Sequence, residues 1–275
     1  PQAVNSRPVL RTNTSGRIAS HPLRFRGDRQ NGERVVRVPG RRFLGSYAAP
    51  GEVLRVRIEP FTPNFSVRVG AHSDNIERRD SWPRPPRVSR TFALTSAETR
   101  VGNAYGGLVY LEVPAGCEGV AKLSVSGSIE APEFTLGKTS QADWAKSREA
   151  PGPWAELGTG KLTLTVPSDL VRIMDDPTPL LSFWNHVMDA CADLATRPRE
   201  RIRPERMVAD VQISAGYMHA GYPIMVPMGE AKNMVDLAHL KGGPWGFYHE
   251  IGHNHQNRDW TFAGTGEVTV NLFSL

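Results

Sequence analysis

The sequence predicts a multi-domain α+β protein, an antiparallel β-sandwich or jelly roll followed by a mixed α/β part. Three observations predict it. Short runs rich in Val, Leu, Ile and Phe alternate with polar residues from about 34 to 135 and are bounded by Gly, Pro, Asn or Ser. An apolar stripe of helical spacing first occurs after residue 175. Between them the texture changes, with a Pro-Gly-Pro break at 151–153. We therefore expect an irregular N-terminal arm over 1–33, a β-sandwich over 34–138 and a second domain over 139–275.

Each element follows from local pattern. VLRVRIEP (53–60), FSVRVGA (65–71), VSRTFAL (88–94), LVYLEV (108–113) and VAKLSVSGSIE (120–130) alternate as half-buried strands of two packed sheets. TSQADWAKSRE (139–149) is consistent with a short helix or a loop, and KLTLTVP (161–167) alternates like a strand. DDPTPLLSFWNHVMDACADLA (175–195) places Leu181, Trp184, Val187, Met188 and Cys191 on one helical stripe, with Pro177 or Pro179 near its start. His186 lies on that helix and is expected to be packed or at the surface. MVADVQIS (207–214) again has strand character.

At 275 residues, with 39% hydrophobic and 22% charged side chains, the chain is long enough for one large domain or two smaller ones, each with its own core. No apolar run approaches the roughly 20 residues that span a bilayer, so no membrane span is expected. The opening PQAVNSRPVL is polar, so no secretory signal is expected in this chain, any signal having been removed or never present. The net charge is +5, with Arg24, Arg26, Arg29, Arg34, Arg37, Arg41 and Arg42 close together. That stretch suits either a polyanion patch or a solvated strand edge. It lacks interleaved aromatics beyond Phe25 and Phe43, which favours the second and gives no expectation of nucleic acid. Cys117 and Cys191 have neither metal-ligand spacing nor a disulfide framework, and whether they are bridged stays open.

The chemistry-bearing stretch is residues 242–275. His249-Glu250-Ile251-Gly252-His253 is an HExxH motif, and on a helix residues four apart share one face, so both imidazoles reach one ion. One Zn2+ per chain suits neutral imidazole nitrogens and an open coordination position. Glu250 is then the base that takes a proton from an activated water. Gly242-Gly243-Pro244 signals the helix start, while Trp245, Phe247 and Tyr248 supply packing. Glu267, separated from His253 by thirteen residues, is the expected third ligand on a second helix. Thr265 is expected to cap that helix, with Val268, Leu272 and Leu275 on one face. Asn271, one turn after Glu267, is placed to orient a ligand, or is a plain surface amide. His255 is off the ligand face and is expected to contact a ligand or face solvent.

HEIGHNHQ (249–256) and WTFAGTGEVTVNLFSL (260–275), with GYMHAGYPIM (216–225) upstream, resemble the enhancin-type, mucin-directed zinc metallopeptidases, which are gluzincins. The resemblance is specific over about 206–275 and weaker over the β region. It implies a zincin-like catalytic domain behind a β-sandwich, with His249, His253 and Glu267 as zinc ligands and Glu250 as base and acid. It also implies cleavage of O-glycosylated, mucin-like proteins by a secreted or cell-surface protein. Gly216 to Met225 would line the substrate, and one of Tyr217, His219 and Tyr222 would steady the oxyanion; plain packing roles are the alternative for each. Family members continue with further helical structure. The catalytic domain is therefore expected to be truncated here, eight residues past Glu267, with a C-terminal segment as a partner for the apolar Leu272, Phe273 and Leu275. The competing reading is a catalytically idle fold that acts as a glycan- or mucin-binding module.

Overall fold

The computed structural model describes residues 19–25, 40–59, 64–114 and 119–275. The first nine strands are β1 (Ala19–Phe25), β2 (Gly40–Ala48), β3 (Val53–Glu59), β4 (Ser66–Val69), β5 (Arg90–Ala93), β6 (Glu98–Gly102), β7 (Gly107–Val113), β8 (Gly119–Ser126) and β9 (Ile129–Glu130). They form two antiparallel sheets, ordered β1-β8-β3-β6 and β5-β4-β7-β2-β9. Leu54, Val56 and Ile58 of β3 and Leu123 and Val125 of β8 pack against Val67, Val69, Val109 and Leu111 of the other sheet. This is the expected sandwich. β3 has the simplest pattern, its apolar residues buried and its charged residues exposed in strict alternation. Most of the Arg-rich stretch lies outside the described side chains; Arg41 and Arg42 lie on β2.

The second half follows as β10 (Glu133–Thr135), α1 (Gln141–Ser147), β11 (Trp154–Gly158), β12 (Leu162–Pro167), α2 (Asp169–Arg172), α3 (Thr178–Leu194), β13 (Glu205–Asp210), β14 (Ile224–Pro227), α4 (Leu237–Lys241), α5 (Trp245–His255) and α6 (Gly266–Thr269). Its strands make one mixed sheet in chain order, in which only β11 and β12 are antiparallel neighbours. One face carries Ala155, Leu157, Leu162, Leu164, Val166, Met207 and Ala209 and packs on α3 and α5 through Leu181, Trp184, Met188, Phe247 and Ile251. His186 on α3 is exposed, and Cys191 is a buried free thiol; Cys117 lies outside the described residues.

The other face of the mixed sheet is covered by the sandwich. Tyr47, Leu108 and Tyr110 meet Val208, Ile213 and Met225 there. β7 therefore buries both faces, Val109 and Leu111 inward and Leu108 and Tyr110 toward the second domain. That is why β12 has no wet face despite its alternation: Thr163 and Thr165 are buried too. The carboxylates on this seam are paired. Glu156 accepts from Arg206 Nη1 at 2.5 Å, Tyr110 Oη at 2.6 Å and Thr165 Oγ1 at 3.0 Å. Arg84 Nε of the sandwich side reaches both carboxylate oxygens of Asp210, at 2.9 and 3.0 Å. Among the described residues no helix is long and apolar enough to cross a membrane.

Candidate metal centre

α5 begins where the sequence suggests. Gly243 takes a positive φ of 77°, Pro244 is the N-cap and the helix runs from Trp245. Phe247 and Tyr248 pack edge-on against Trp184, each at 6.2 Å between ring centroids, which fixes the roll of the helix. His249 and His253 then share one face, with centroids 4.6 Å apart and rings at 90°.

Glu267 arrives from the other side. His249 Nε2 lies 3.1 Å and His253 Nε2 3.4 Å from Glu267 Oε2, and the two Nε2 atoms are 3.1 Å apart. The segment carrying Glu267 differs from expectation. α6 is a single turn followed by a 3-10 turn at Val270–Phe273, and the Thr265 side chain makes no capping bond, donating instead to Phe262 O. It approaches α5 closely because residue 252 is glycine: a Cβ there would meet Phe273 Cβ at 2.8 Å. A side chain there would force Phe273 away from α5.

The tautomers follow from hydrogen bonding. Gln256 Nε2 donates to Gly266 O and Thr269 Oγ1, at 2.7 and 2.8 Å, so its Oε1 faces His253 Nδ1 at 2.9 Å. Asn271 Nδ2 donates to Glu267 O at 2.9 Å, so its Oδ1 accepts from Trp245 Nε1 at 3.0 Å and faces His249 Nδ1 at 3.3 Å. An amide oxygen only accepts, so each Nδ1 carries a proton, and in the neutral imidazole each Nε2 then presents a lone pair. In that form two lone pairs and a carboxylate converge on one point, an arrangement that a cation complements. The donor set, two imidazoles and one carboxylate, fits zinc.

Glu250 is buried one residue from the first histidine. Burial pushes its carboxyl above the usual range, while the nearby histidines and the Ala220 amide pull the other way without cancelling the effect. It borders an open cavity of about 460 Å³ with Tyr217, Met218, Glu230 and Trp245.

The remaining predicted residues separate. Tyr217 is exposed on that cavity and donates to Glu230 Oε1 at 2.6 Å. His219 has both ring nitrogens engaged, Nε2 with Asp74 Oδ2 at 3.0 Å and Nδ1 with Ala220 O at 2.9 Å. Tyr222 lines a different cavity, beside Arg41. His255 differs from expectation: it is buried, contacts none of the three clustered groups, and bonds Ile251 O at 2.7 Å and Arg201. Burial lowers its pKa to about 4. Sequence reasoning did not find Gln256 or Asp74. Gln256 follows the motif in the chain, but its role shows only once the helix ends and the Glu267 turn folds back. Asp74 has no local signal at all.

Comparison with known proteins fits this arrangement. The family described as "Peptidase M60, enhancin and enhancin-like" matches residues 127–275, and "N-terminal domain of M60-like peptidases" matches 27–126. A TRPM8 channel-associated factor homolog from Xenopus laevis is 44% identical over 240 residues, 85% of this chain and 26% of the relative. TRPM8 channel-associated factor 2 from Bos taurus is 41% identical over 215 residues, 77% of this chain and 24% of that protein. The chain thus spans about a quarter of the length of these curated relatives. Among solved structures, a conserved protein of unknown function from Bacillus anthracis superposes with a TM-score of 0.74 at 23% identity, covering 93% of this chain and 55% of that one. The M60 catalytic domain of Clostridium perfringens ZmpC, solved with the sialyl T antigen, gives 0.68 at 16% identity, covering 93% and 56%. At these identities the structures speak for the fold alone. The family match extends over both halves and ends on the segment that brings Glu267 to the histidines: the chain belongs to the peptidase M60, enhancin and enhancin-like family.

Proposed function

We propose that this chain carries the catalytic centre of a zinc-dependent endopeptidase that cleaves peptide bonds in O-glycosylated, mucin-like proteins outside the cell. The observation that carries the reading is the convergence of His249 Nε2, His253 Nε2 and Glu267 Oε2 with both imidazole protons held on the far side. His249, His253 and Glu267 would hold the metal. When bound, zinc supplies Lewis acidity that lowers the pKa of water and polarises a carbonyl. Glu250, with its carboxyl raised by burial, accepts the proton of the attacking water and returns it to the leaving amine. The cavity between Trp245 and Tyr217 offers aromatic walls and the Glu230 carboxylate to a substrate beside Glu250. Support for the substrate class comes from related folds: a metallopeptidase of Pseudomonas aeruginosa was solved with T antigen, and another metallopeptidase with Tn antigen.

A second reading is a binding module without turnover. It draws on relatives 35–44% identical that are named as channel-associated factors. Incubation of the zinc-loaded chain with mucin-type glycopeptides, followed by mass spectrometry, separates the two. The peptidase reading expects cleavage that Glu250→Gln reduces by about 10²–10⁴-fold. Uncleaved glycopeptides that nevertheless bind would favour the module.

A further inference from the structure

The chain carries a net charge of +5, yet no Lys or Arg lines the cavity of about 460 Å³ beside Glu250. Its ionisable acids and bases are Glu230, Glu250 and His239. Glu230 ends the 3-10 turn that follows β14, is half-buried, and is held from two sides. Its Oε1 accepts from the Tyr217 hydroxyl at 2.6 Å and its Oε2 from Asn233 Nδ2 at 2.7 Å. Those two bonds hold the carboxyl below the usual carboxylate range, against a smaller effect of burial. Among the described residues no cation forms an ion pair with it, and His239 and Lys232 act on it only from further away.

The walls add a second feature. Tyr217 and Trp245 are both exposed and both line the cavity. The Trp245 indole is anchored through Nε1 to Asn271 Oδ1 at 3.0 Å, and the Tyr217 ring through its hydroxyl to Glu230. An aromatic face attracts a cation through its quadrupole, by an amount comparable to an exposed ion pair. Two anchored rings and an ionised carboxylate without a protein cation therefore share one preference, for positive charge. Each carboxylate oxygen has two lone pairs and spends one on its neighbour, so Glu230 keeps acceptor capacity. A neutral hydroxyl would use those lone pairs and leave the charge unmatched; an ammonium or guanidinium group answers both.

We propose that Glu230 selects substrates by positive charge, drawing a cationic group of the peptide into the cavity lined by Tyr217 and Trp245. The inference rests on reading this cavity as the substrate site, and it names the class of peptide taken there. That class carries a lysine, an arginine or a free α-ammonium group close to the bond beside Glu250. Glu230 sets specificity and takes no part in the proton transfer.

Fluorescence anisotropy of labelled glycopeptides, measured in EDTA so that none is turned over, tests it. Each probe has a threonine carrying a single GalNAc, flanked on both sides by Lys, Gln or Glu, with blocked ends; the Gln probe with a free N-terminus is the second arm. The Lys probe should bind about tenfold tighter than the Gln probe, and the Glu probe most weakly. Raising NaCl from about 50 to about 500 mM should shrink that ratio. Glu230→Gln should bring the ratio close to one, and Glu230→Lys should reverse the order of the Lys and Glu probes. If either variant fails to fold, the ratio in wild type and its salt dependence still decide. A free N-terminus that binds as tightly as the Lys probe would support the site and assign it to the α-ammonium group. The proposal is overturned if no probe saturates, if neither cationic probe binds tighter than the blocked Gln probe, or if Glu230→Gln keeps the wild-type ratio. Incubating the same glycopeptides with the zinc-loaded chain keeps the two readings apart. A charge preference in binding without any cleavage would remove the peptidase reading and leave the cation site, whereas Glu250-dependent cleavage indifferent to charge would do the opposite.

Discussion

Two buried carboxylates, Glu156 on the seam between the domains and Glu250 on α5, show how differently this fold treats charge. Glu156 is surrounded by groups that satisfy it: Arg206, Tyr110 and Thr165 all donate. Burial opposes the Arg206 charge, yet Glu156 and Tyr110 outweigh it and raise its pKa above the ordinary value. Glu250 has no cation locked onto it, and burial raises its carboxyl. A buried charge with a full set of partners supports the architecture. A buried carboxyl with a raised pKa and no cation locked onto it is where the proposed proton transfer would take place.

The contrast breaks most visibly at Glu156. Glu156→Ala strands Arg206 inside the protein and should cost about 3–5 kcal/mol in urea unfolding, whereas replacing both partners with apolar residues should cost far less. Glu250→Gln should do the reverse, changing stability by about 1 kcal/mol or less while removing most of the proposed turnover. A large loss of stability in Glu250→Gln would erase the distinction between the two sites.

How much of this was legible in the sequence depends on the range of the interactions. β3 could be read from VLRVRIE because its burial alternates with its side chains, and the HExxH face of α5 because helix geometry alone sets it. β11 and β2, buried against neighbouring layers, carry less pattern of their own and are not legible as strands. The turn after Glu267 reads as a longer helix because Val268 and Leu272 recur at helical spacing. In the structure both are exposed, and Val270 and Phe273 are the buried residues. His255, off the ligand face of α5, reads as contacting a ligand or facing solvent, but Arg201, far off in sequence, receives it in the interior. Asp74 and His219 meet across 145 positions, a pairing no local rule detects.

Finer tests sharpen the comparison. Asn271→Ala removes the acceptor that holds His249 in its Nδ1–H form, and zinc affinity should fall about 10–100-fold with little change in unfolding. Unchanged affinity would reduce Asn271 to a surface amide. The smallest effect is expected at the link between the sandwich and the loop beside Glu250. Burial alone raises the Asp74 carboxyl, but bonds from His219 and Ser214 outweigh it and hold its pKa at about 2, below its ordinary 3.8. His219 is raised above its ordinary 6.5, first by its bond to Asp74. The Asp74 contribution is complete above pH 3.8 and lost as pH falls through about 2; the His219 contribution is complete below pH 6.5 and lost as pH rises through its folded value. Asp74→Asn should therefore reduce stability by roughly 1 kcal/mol between about pH 4 and 6.5, and by less on either side. A difference independent of pH would mean the pair acts through packing alone.

The central claim is that His249 Nε2, His253 Nε2 and Glu267 Oε2 converge to hold one cation. Elemental mass spectrometry on the purified chain, with His253→Ala in parallel, tests it most directly. The expected result is one zinc per wild-type chain and none in the variant. A wild-type chain that neither carries zinc nor takes it up when supplied, or a variant that binds zinc as well as wild type does, would contradict it.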